Sequence, residues 1–230
     1  MSTTRLEKTT DDRERWYDDA CGLALGMQLV GDRWTLIVLR ELMYGPRRFV
    51  QLRRVIPGIS ASVLTQRLER LEATGVLVRR KLPPPASVQV YELTDWGRES
   101  EAMMAALARW AVRSPLHDPR RSLSDASLMM SFRSLLDPAR ADGIDARIGF
   151  AIGEEHFATH LHDGRIEVVR GEAVDAVLSF TAQEAGPIAA AIYDGASLEA
   201  LEATGALKVH GDRALAERFI TLFPVPPKIS

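Results

Sequence analysis

The sequence predicts an α+β protein of two domains, because helical periodicity dominates its first half and short strand-like runs dominate its second. Apolar residues recur at helical spacing between 18 and 113, and alternating runs separated by glycines begin near 144. Two prolines among polar residues, Pro115 and Pro119, interrupt the pattern between them. We therefore expect a loose arm at 1–17, domains at 18–113 and 125–225, and a linker at 114–124.

Composition excludes several protein classes. Cys21 is the one cysteine, so an intramolecular disulfide framework is ruled out. There is no apolar signal region near Met1 and no uninterrupted apolar run of membrane-spanning length. We therefore expect a soluble, cytoplasmic protein with no membrane partner.

The net charge of -2 hides an asymmetry along the chain. Residues 1–121 hold 20 basic and 15 acidic side chains, whereas residues 122–230 hold 9 and 16. Residues 40–81 alone hold 10 basic against 3 acidic. Such a local excess attracts polyanions, although a solvated basic face is the alternative that composition leaves open.

Four helices are predicted before the first strand. The first two run over Asp18–Leu29 and Trp34–Met43, and a glycine stops each run. The next two lie on either side of the Pro57-Gly58 turn, with Ser60 as the N-cap of the second. Two short helices around a tight turn, with arginines crowded about them, are typical of a helix-turn-helix.

A hairpin and a long helix follow the motif. Strand-like runs at Leu77–Lys81 and Val88–Leu93 flank a proline-rich tip, which is typical of a wing. Thr94 can cap a helix from Asp95 to about Val112. These elements predict a winged helix-turn-helix domain.

The second helix of the motif has an apolar stripe and a polar face. Leu64, Leu68 and Leu71 fall within about 60° of one another, so they face the core. Small and polar side chains on the other faces can reach base edges in a major groove, and Gln66 suits adenine. The predicted base contacts are Ser62, Thr65, Gln66 and Arg70.

Phosphate contacts are predicted from side chains near helix starts, the turn and the wing. They are Arg33, Arg47, Arg48, Arg53, Arg54, Ser60, Arg79, Arg80 and Lys81. For any one arginine a surface ion pair is the simpler interpretation. Together with the motif, they favour double-stranded DNA as the partner.

Ordered sequence motifs run from Cys21 to about Trp110. They are Leu29–Arg40, Gly45–Phe49 with Leu52, Pro57–Ser60, Val63–Leu68, Gly75–Arg80, Tyr91–Thr94 and Gly97. In this order they resemble the HxlR family of bacterial winged-helix transcription regulators. The resemblance implies a homodimer, built from the helices at 18–29 and 95–112, that binds a palindromic operator with its recognition helices ~34 Å apart.

Cys21 matches the N-terminal cysteine of that family, which in some members responds to quinones, aldehydes or oxidants. It is therefore a candidate redox sensor. A reactive thiol needs a lowered pKa, however, and Asp18 and Asp19 just upstream would disfavour the thiolate. A small side chain packed at the dimer interface is the alternative that we favour.

The second half predicts one antiparallel sheet with helices on a face. The predicted helices are 123–136, 182–193 and 212–223, and the predicted strands are 144–152, 155–162, 165–170, 174–181 and 206–210. The segments Asp163–Val168, Asp175–Phe180 and Gly205–Asp212 resemble the sterol carrier protein family. That resemblance implies an apolar cavity between sheet and helices. Its predicted lining is Ile188, Ile192, Phe180, Phe219 and Phe223, for each of which core packing is the alternative.

The two halves together predict a transcription regulator whose operator affinity is modulated by a hydrophobic small-molecule effector. A ligand that prefers one dimer geometry would shift that affinity. The alternative function is a non-regulatory lipid or hydrophobic-ligand carrier, in which the N-terminal domain serves dimerisation.

Other chemistry has little support. His156, His160 and His162 share one face of a predicted strand, but exposed histidines without a thiolate partner are usually ordinary surface residues. The chain has no Gly-x-Ser-x-Gly elbow and no phosphate loop, and the paired acids Glu154-Glu155 are interpreted as a solvated face. We expect no metal, no cofactor and no enzymatic activity.

Overall fold

The computed structural model describes residues 17–119 and 121–229. The predicted arm at 1–17 lies outside these residues apart from Tyr17. Among the described residues, no helix is both long enough and apolar enough to span a membrane.

The N-terminal half is the predicted winged helix-turn-helix. Its elements are α1 Gly22–Val30, α2 Thr35–Leu42, α3 Phe49–Val55, α4 Ala61–Ala73, β1 Leu77–Lys81, β2 Gln89–Leu93 and α5 Asp95–Ala111. Gly58 has a φ of 82° in the turn between α3 and α4, a conformation that favours glycine. Ser60 Oγ accepts a hydrogen bond from Val63 N at 3.2 Å, which caps α4. Thr94 Oγ1 accepts from Gly97 N at 3.0 Å, which caps α5.

The C-terminal half is a five-stranded sheet with helices on one face. Its elements are α6 Asp125–Leu135, β3 Ala146–Ile152, β4 Glu155–His162, β5 Arg165–Arg170, β6 Leu178–Ala182, α7 Ala185–Tyr193, α8 Leu198–Ala203, β7 Leu207–Gly211 and α9 Arg213–Phe219. The strand order is β5-β4-β3-β6-β7. Helix α8 was not predicted, because six residues are too few for a clear periodicity.

The prediction of an all-antiparallel sheet is wrong, since β6 pairs with β3 in parallel. After β5, at one edge of the sheet, the chain crosses over to insert β6 beside β3. The first residues of the strand predicted at 174–181 belong to this crossover instead, and Asp175 there has a φ of 57°. Strand patterns give the direction of a pair only when a short hairpin joins the two strands, and here no hairpin does.

Phenylalanine rings fill the space between the sheet and its helices. Phe150 and Phe180 project from neighbouring strands and stack with ring centroids 5.4 Å apart. Phe132 of α6 and Phe219 of α9 cover them, with Phe132–Phe219 centroids 5.6 Å apart. Phe223 lies 4.8 Å from Phe132, which closes the cluster. The opposite face of the sheet is partly exposed at β4 and β5, and Ala173 and Ala176 of the crossover segment cover Gly149 of β3.

The two halves share one continuous buried core. Helix α6 packs against α2 and α5 as well as against β5, so it belongs to both. Arg133 on α6 forms an ion pair of 2.6 Å with Glu101 on α5. The C-terminal segment also returns to the end of α5, where Lys228 Nζ donates to Val112 O at 2.8 Å. The winged helix is therefore held against the C-terminal half by packing and by charge.

Candidate nucleic-acid interface

Helix α4 presents the polar face that its sequence predicted. Leu64, Leu68 and Leu71 are at most 1% exposed. Ser62, Thr65 and Gln66 are exposed near the N-terminal end of the helix. They stand on a rigid element beside the turn, where a helix inserted in a major groove meets base edges.

Arg70 has a different role from the predicted base contact. Its side chain is half-buried, and Nη2 donates to the backbone oxygen of Gln28 at 2.5 Å. This bond joins α4 to α1. Because the guanidinium is directed towards α1, we correct the assignment of Arg70 from base contact to interhelical tether.

The predicted phosphate contacts are exposed with one exception. The exposed side chains are Arg33, Arg48, Arg53, Arg54, Ser60, Arg79, Arg80 and Lys81. The Arg33 guanidinium lies over the Trp34 ring at 4.9 Å, which orients it near the start of α2. On the wing, an open groove of about 500 Å³ is lined by Arg79, Arg80 and Lys81 with Ser87 and Gln89. Ion pairs partly balance the positive charge of three of them: Arg54 pairs with Glu154, Arg79 with Glu72 and Arg80 with Glu92.

Arg47 is the exception, and its prediction as a phosphate contact is wrong. Its side chain is only 2% exposed. The backbone of Arg47 pairs with Tyr91 of β2 in both directions, at 3.0 and 2.8 Å. The guanidinium lies inside the protein, where Nε donates to Glu41 O at 3.2 Å and Nη1 donates to Glu155 Oε1 at 3.2 Å.

Arg47 belongs to a group of buried and half-buried charged side chains between the two halves, here called the interdomain charge cluster: Glu41, Arg47, Asp125, Glu155 and Arg170. Arg170 Nε lies 2.8 Å from Glu155 Oε2. The side chain of Glu41 is fully buried, and its Oε1 accepts from Ser124 Oγ at 2.7 Å. Charges of both signs thus lie next to one another with little access to solvent.

Burial shifts the titration of this cluster. It raises the pKa of Asp125 to about 6, with the negative charges of Glu155 and Glu41 adding to the effect. It lowers the pKa of Arg170 to about 10, with Arg47 adding to the effect. Within the described part of the chain, Arg170 Nη1 and Nη2 and Glu41 Oε2 have no hydrogen-bond partner. The cluster therefore holds ion pairs but is not fully hydrogen-bonded.

The sequence analysis does not predict this cluster. Arg47 and Glu155 are 108 positions apart, and no local pattern relates them. The pair Glu154-Glu155 is not a uniformly solvated face, because Glu155 is 12% exposed and Glu154 is 80% exposed. Glu154 Oε2 lies 3.0 Å from Arg54 Nη2. The tip of the β3–β4 hairpin therefore contacts the arginines before and within α3.

The predicted ligand pocket is largely core. Phe180 and Phe219 are 0% exposed, Ile188 is 1% and Phe223 is 2%. Phe219 contacts both Phe180 and Phe223, with ring centroids 5.7 and 5.0 Å apart, so these rings occupy the space of the predicted cavity. Ile192 and Phe223 also line an open groove of about 440 Å³ with Tyr193, Ile220, Pro224 and other neighbours beside α7.

Cys21 is exposed and directly precedes α1. The backbone amides of Leu23 and Ala24 lower the pKa of its thiol. Asp19 Oδ1 accepts a hydrogen bond from the Cys21 backbone N–H at 2.9 Å. The expectation that the upstream acids would disfavour the thiolate is therefore outweighed by the amides of the first helical turn.

Comparison with known proteins places this site in a family. A family model described as HxlR-like helix-turn-helix matches residues 29–117. The uncharacterized HTH-type transcriptional regulator YtcD of Bacillus subtilis (strain 168) is 34% identical over 87 residues, which are 36% of this chain and 67% of that protein. The HTH-type transcriptional regulator YodB of the same organism is 35% identical over 83 residues, which are 36% of this chain and 74% of that protein.

A solved structure of the reduced form of YodB from B. subtilis is 30% identical, with a TM-score of 0.39. It covers 44% of this chain, and the match includes 100% of the YodB chain. Each of these relatives covers less than half of this chain, and the family model places the likeness in the N-terminal half.

Proposed function

Because this chain belongs to the family of HxlR-like helix-turn-helix transcription regulators, we propose that it binds a specific DNA operator as a homodimer and that a hydrophobic small molecule modulates the binding. The observation that carries the proposal is the exposed row Ser62, Thr65 and Gln66 on α4, flanked by unburied arginines. Base edges and phosphates require these two kinds of side chain side by side. The relatives are regulators, and the proposal includes no catalytic step.

The test is footprinting of genomic fragments followed by binding titrations on the protected site. Gln66→Ala should weaken operator binding by about 1–3 kcal/mol and relax the preference at one base pair. The variant Arg165→Ala, which removes an exposed arginine from the C-terminal sheet, is the matched control and should leave binding unchanged. Absence of any protected site at low salt would refute the proposal.

Exposed apolar side chains on α1 and α5 support the homodimer. Met103, Leu107 and Trp110 lie on one face of α5 and are 44–73% exposed. Leu23 and Met27 on α1 are 73% and 50% exposed. Apolar faces of this kind mark protein–protein interfaces. Leu107→Glu should give a monomer in sedimentation analysis, whereas Val174→Glu, at another exposed valine, should not.

The groove beside α7 is the proposed effector site, because two predicted pocket residues, Ile192 and Phe223, line it. Its volume of about 440 Å³ is within the range of small-molecule sites. An apolar fluorescent probe such as 1-anilinonaphthalene-8-sulfonate should bind the full-length protein, and Ile192→Glu should abolish the signal. Retention of the signal in that variant would exclude the groove. The packed phenylalanine cluster weighs against the carrier function, which needs an internal cavity.

The interdomain charge cluster supports a route from the C-terminal half to the motif. Glu155 at the start of β4 holds Arg47, the residue immediately before the N-cap of α3. If the β3–β4 hairpin has two positions, a ligand that binds one of them more tightly favours that position. Operator affinity can then change by at most the difference between the affinities of the ligand for the two positions. In Glu155→Gln, probe binding should persist while any effect of the probe on operator affinity disappears.

Cys21 is a second candidate input, because it is exposed and the pKa of its thiol is lowered. The rate of alkylation by iodoacetamide should be measured as a function of pH. It should show a reactive Cys21 thiolate at a lower pH than an ordinary cysteine requires. Modification should lower operator affinity in the native protein and leave Cys21→Ser unaffected. Equal loss of affinity in both proteins would assign the effect to another residue.

A further inference from the structure

Two imidazoles and a carboxylate meet on the solvent-accessible face of the C-terminal sheet, away from the interface with the winged helix. His160 and His162 lie two residues apart on β4, so both project from the same face. Glu167 on β5 is the direct cross-strand partner of His160. One potential ligand atom from each of the three residues lies within 4.8 Å of the others.

We propose that His160, His162 and Glu167 bind a divalent transition-metal ion, for which Zn²⁺ is the representative. Imidazole nitrogens and a carboxylate oxygen are the donor set that this class of ion prefers. Three protein ligands leave a coordination position open for water. The site does not depend on the DNA-binding function proposed above.

Neighbouring carboxylates hold both imidazole rings. His160 Nε2 lies 2.8 Å from Asp145 Oδ1, and His162 Nδ1 lies 3.2 Å from Asp163 Oδ2. In metal sites a ligating histidine commonly bonds a carboxylate through one ring nitrogen and the metal through the other. The second nitrogen of His162, Nε2, faces Glu167 Oε1 at 3.5 Å. The carboxylate of the proposed site is therefore already beside the nitrogen that it would join at the ion.

The remaining movement is small. Zinc bonds of about 2.0–2.2 Å bring tetrahedral ligand atoms to roughly 3.4 Å from one another, against the 4.8 Å limit in this structure. The His160 and His162 side chains are 31% and 26% exposed and Glu167 is 67% exposed, so rotation of the side chains can close the gap. The two paired strands fix the backbone positions from which the side chains rotate.

The charges on this face favour a cation. Arg147 and Arg165 are the cross-strand partners of His160 and His162 and oppose binding. Asp145, Asp163 and Glu167 outnumber them. His156, on the same strand, is paired with Glu172 at 3.4 Å and lies outside the cluster, so it offers a matched control.

The experiment is calorimetric titration of the full-length, tag-free protein with ZnCl₂, in a Cys21→Ser background that removes the thiol as a competing ligand. One ion should bind per chain. His162→Ala should weaken binding at least about tenfold and Glu167→Gln should weaken it measurably, while His156→Ala should leave it unchanged. Circular dichroism verifies that each variant is folded.

A second measurement uses Co²⁺ in place of Zn²⁺. Bound Co²⁺ should show visible absorption of a nitrogen- and oxygen-ligated ion, and the absorption should disappear in His162→Ala but persist in His156→Ala. The proposal is overturned if the protein binds no ion in either titration, or if His156→Ala weakens binding as much as His162→Ala does.

Discussion

Arg47 and Arg48 are adjacent in the sequence, yet they lie in two regions that differ in exposure to solvent. Arg47 lies in the interdomain charge cluster at 2% exposure. Arg48 lies on the exposed surface that is proposed to contact DNA, here called the recognition surface: Arg33, Arg48, Arg53, Arg54, Ser62, Thr65 and Gln66. An exposed arginine is free to meet a phosphate, whereas a buried one is committed to its carboxylates. An arginine near a helix-turn-helix is therefore a candidate phosphate contact only when the surrounding protein leaves it in solvent.

The largest expected effect is on stability, where loss of an arginine should matter far more in the interdomain charge cluster than on the recognition surface. Arg47→Ala leaves Glu41 and Glu155 with fewer counter-charges, although Arg40 and Arg170 remain beside them. We expect a loss of about 3 kcal/mol in the free energy of unfolding, measured by urea denaturation. Arg53→Ala on the recognition surface should change it by less than about 0.5 kcal/mol. Equal losses in the two variants would remove the distinction.

A pH-dependent effect should appear at Asp125, whose pKa is raised to about 6 in the folded protein. Between pH 3.8, the ordinary pKa of an aspartate, and pH 6, the Asp125 carboxyl binds more protons in the folded state than in the unfolded state. The contribution of Asp125 to the free energy of unfolding therefore falls as the pH rises through this window. Ionisation of Asp125 in the folded protein should lower the free energy of unfolding by about 1–2 kcal/mol. The effect is this small because the carboxylate is partly exposed and because the N-terminus of α6 favours its charged form. Asp125→Asn should be more stable than the native protein by that amount above pH 6.

As the pH falls below 3.8, the ordinary pKa of an aspartate, the Asp125→Asn difference should shrink towards zero, because the native carboxyl becomes protonated in both states. Denaturation curves for the two proteins at about pH 3 and pH 8 measure it. A difference that is independent of pH would mean that the charge of Asp125 is not the cause.

Arginines on the recognition surface should make operator affinity depend on the salt concentration. If Arg48 neutralises one phosphate, Arg48→Ala should reduce the slope of log affinity against log salt by about 1, with unfolding unchanged. Operator binding measured at several salt concentrations provides the slope. Arg47→Ala, assayed where it remains folded, should keep the native slope.

The smallest effect should occur where the two regions touch. Glu154 is 80% exposed and pairs with Arg54 on α3, one of the proposed phosphate contacts. Glu154→Gln should tighten operator binding by less than about 1 kcal/mol, and less so as salt rises. Glu199→Gln, at an exposed acid on α8, is the control. Unchanged affinity in Glu154→Gln would show that Arg54 does not approach the DNA.

Local signals explain why the N-terminal half was predicted closely. The leucine stripe of α4 has a period of 3.6 residues, and Ser60 caps the helix as its residue type indicates. The wing strands have a length and a turn that a short segment encodes. The exposed base-contact candidates Ser62, Thr65 and Gln66 follow from the same periodicity, because the face opposite a buried stripe is exposed.

The errors arise where the outcome depends on distant segments. The parallel pairing of β6 with β3 depends on the crossover after β5. The predicted cavity is occupied by rings from α6, both central strands and α9, whose joint packing no single pattern reports. Arg70 is directed to α1 by a bond across 42 positions.

Spacing and composition along the chain are enough to predict the order of most elements, the helix-turn-helix, the polar face of α4 and the charge asymmetry between the halves. The tertiary structure sets which arginines face solvent, that Glu41 and Glu155 lie against Arg47, and that Glu167 lies beside the histidines of β4. Burial and charge pairing depend on distances through space, and a chain that folds back on itself sets those distances independently of its local patterns.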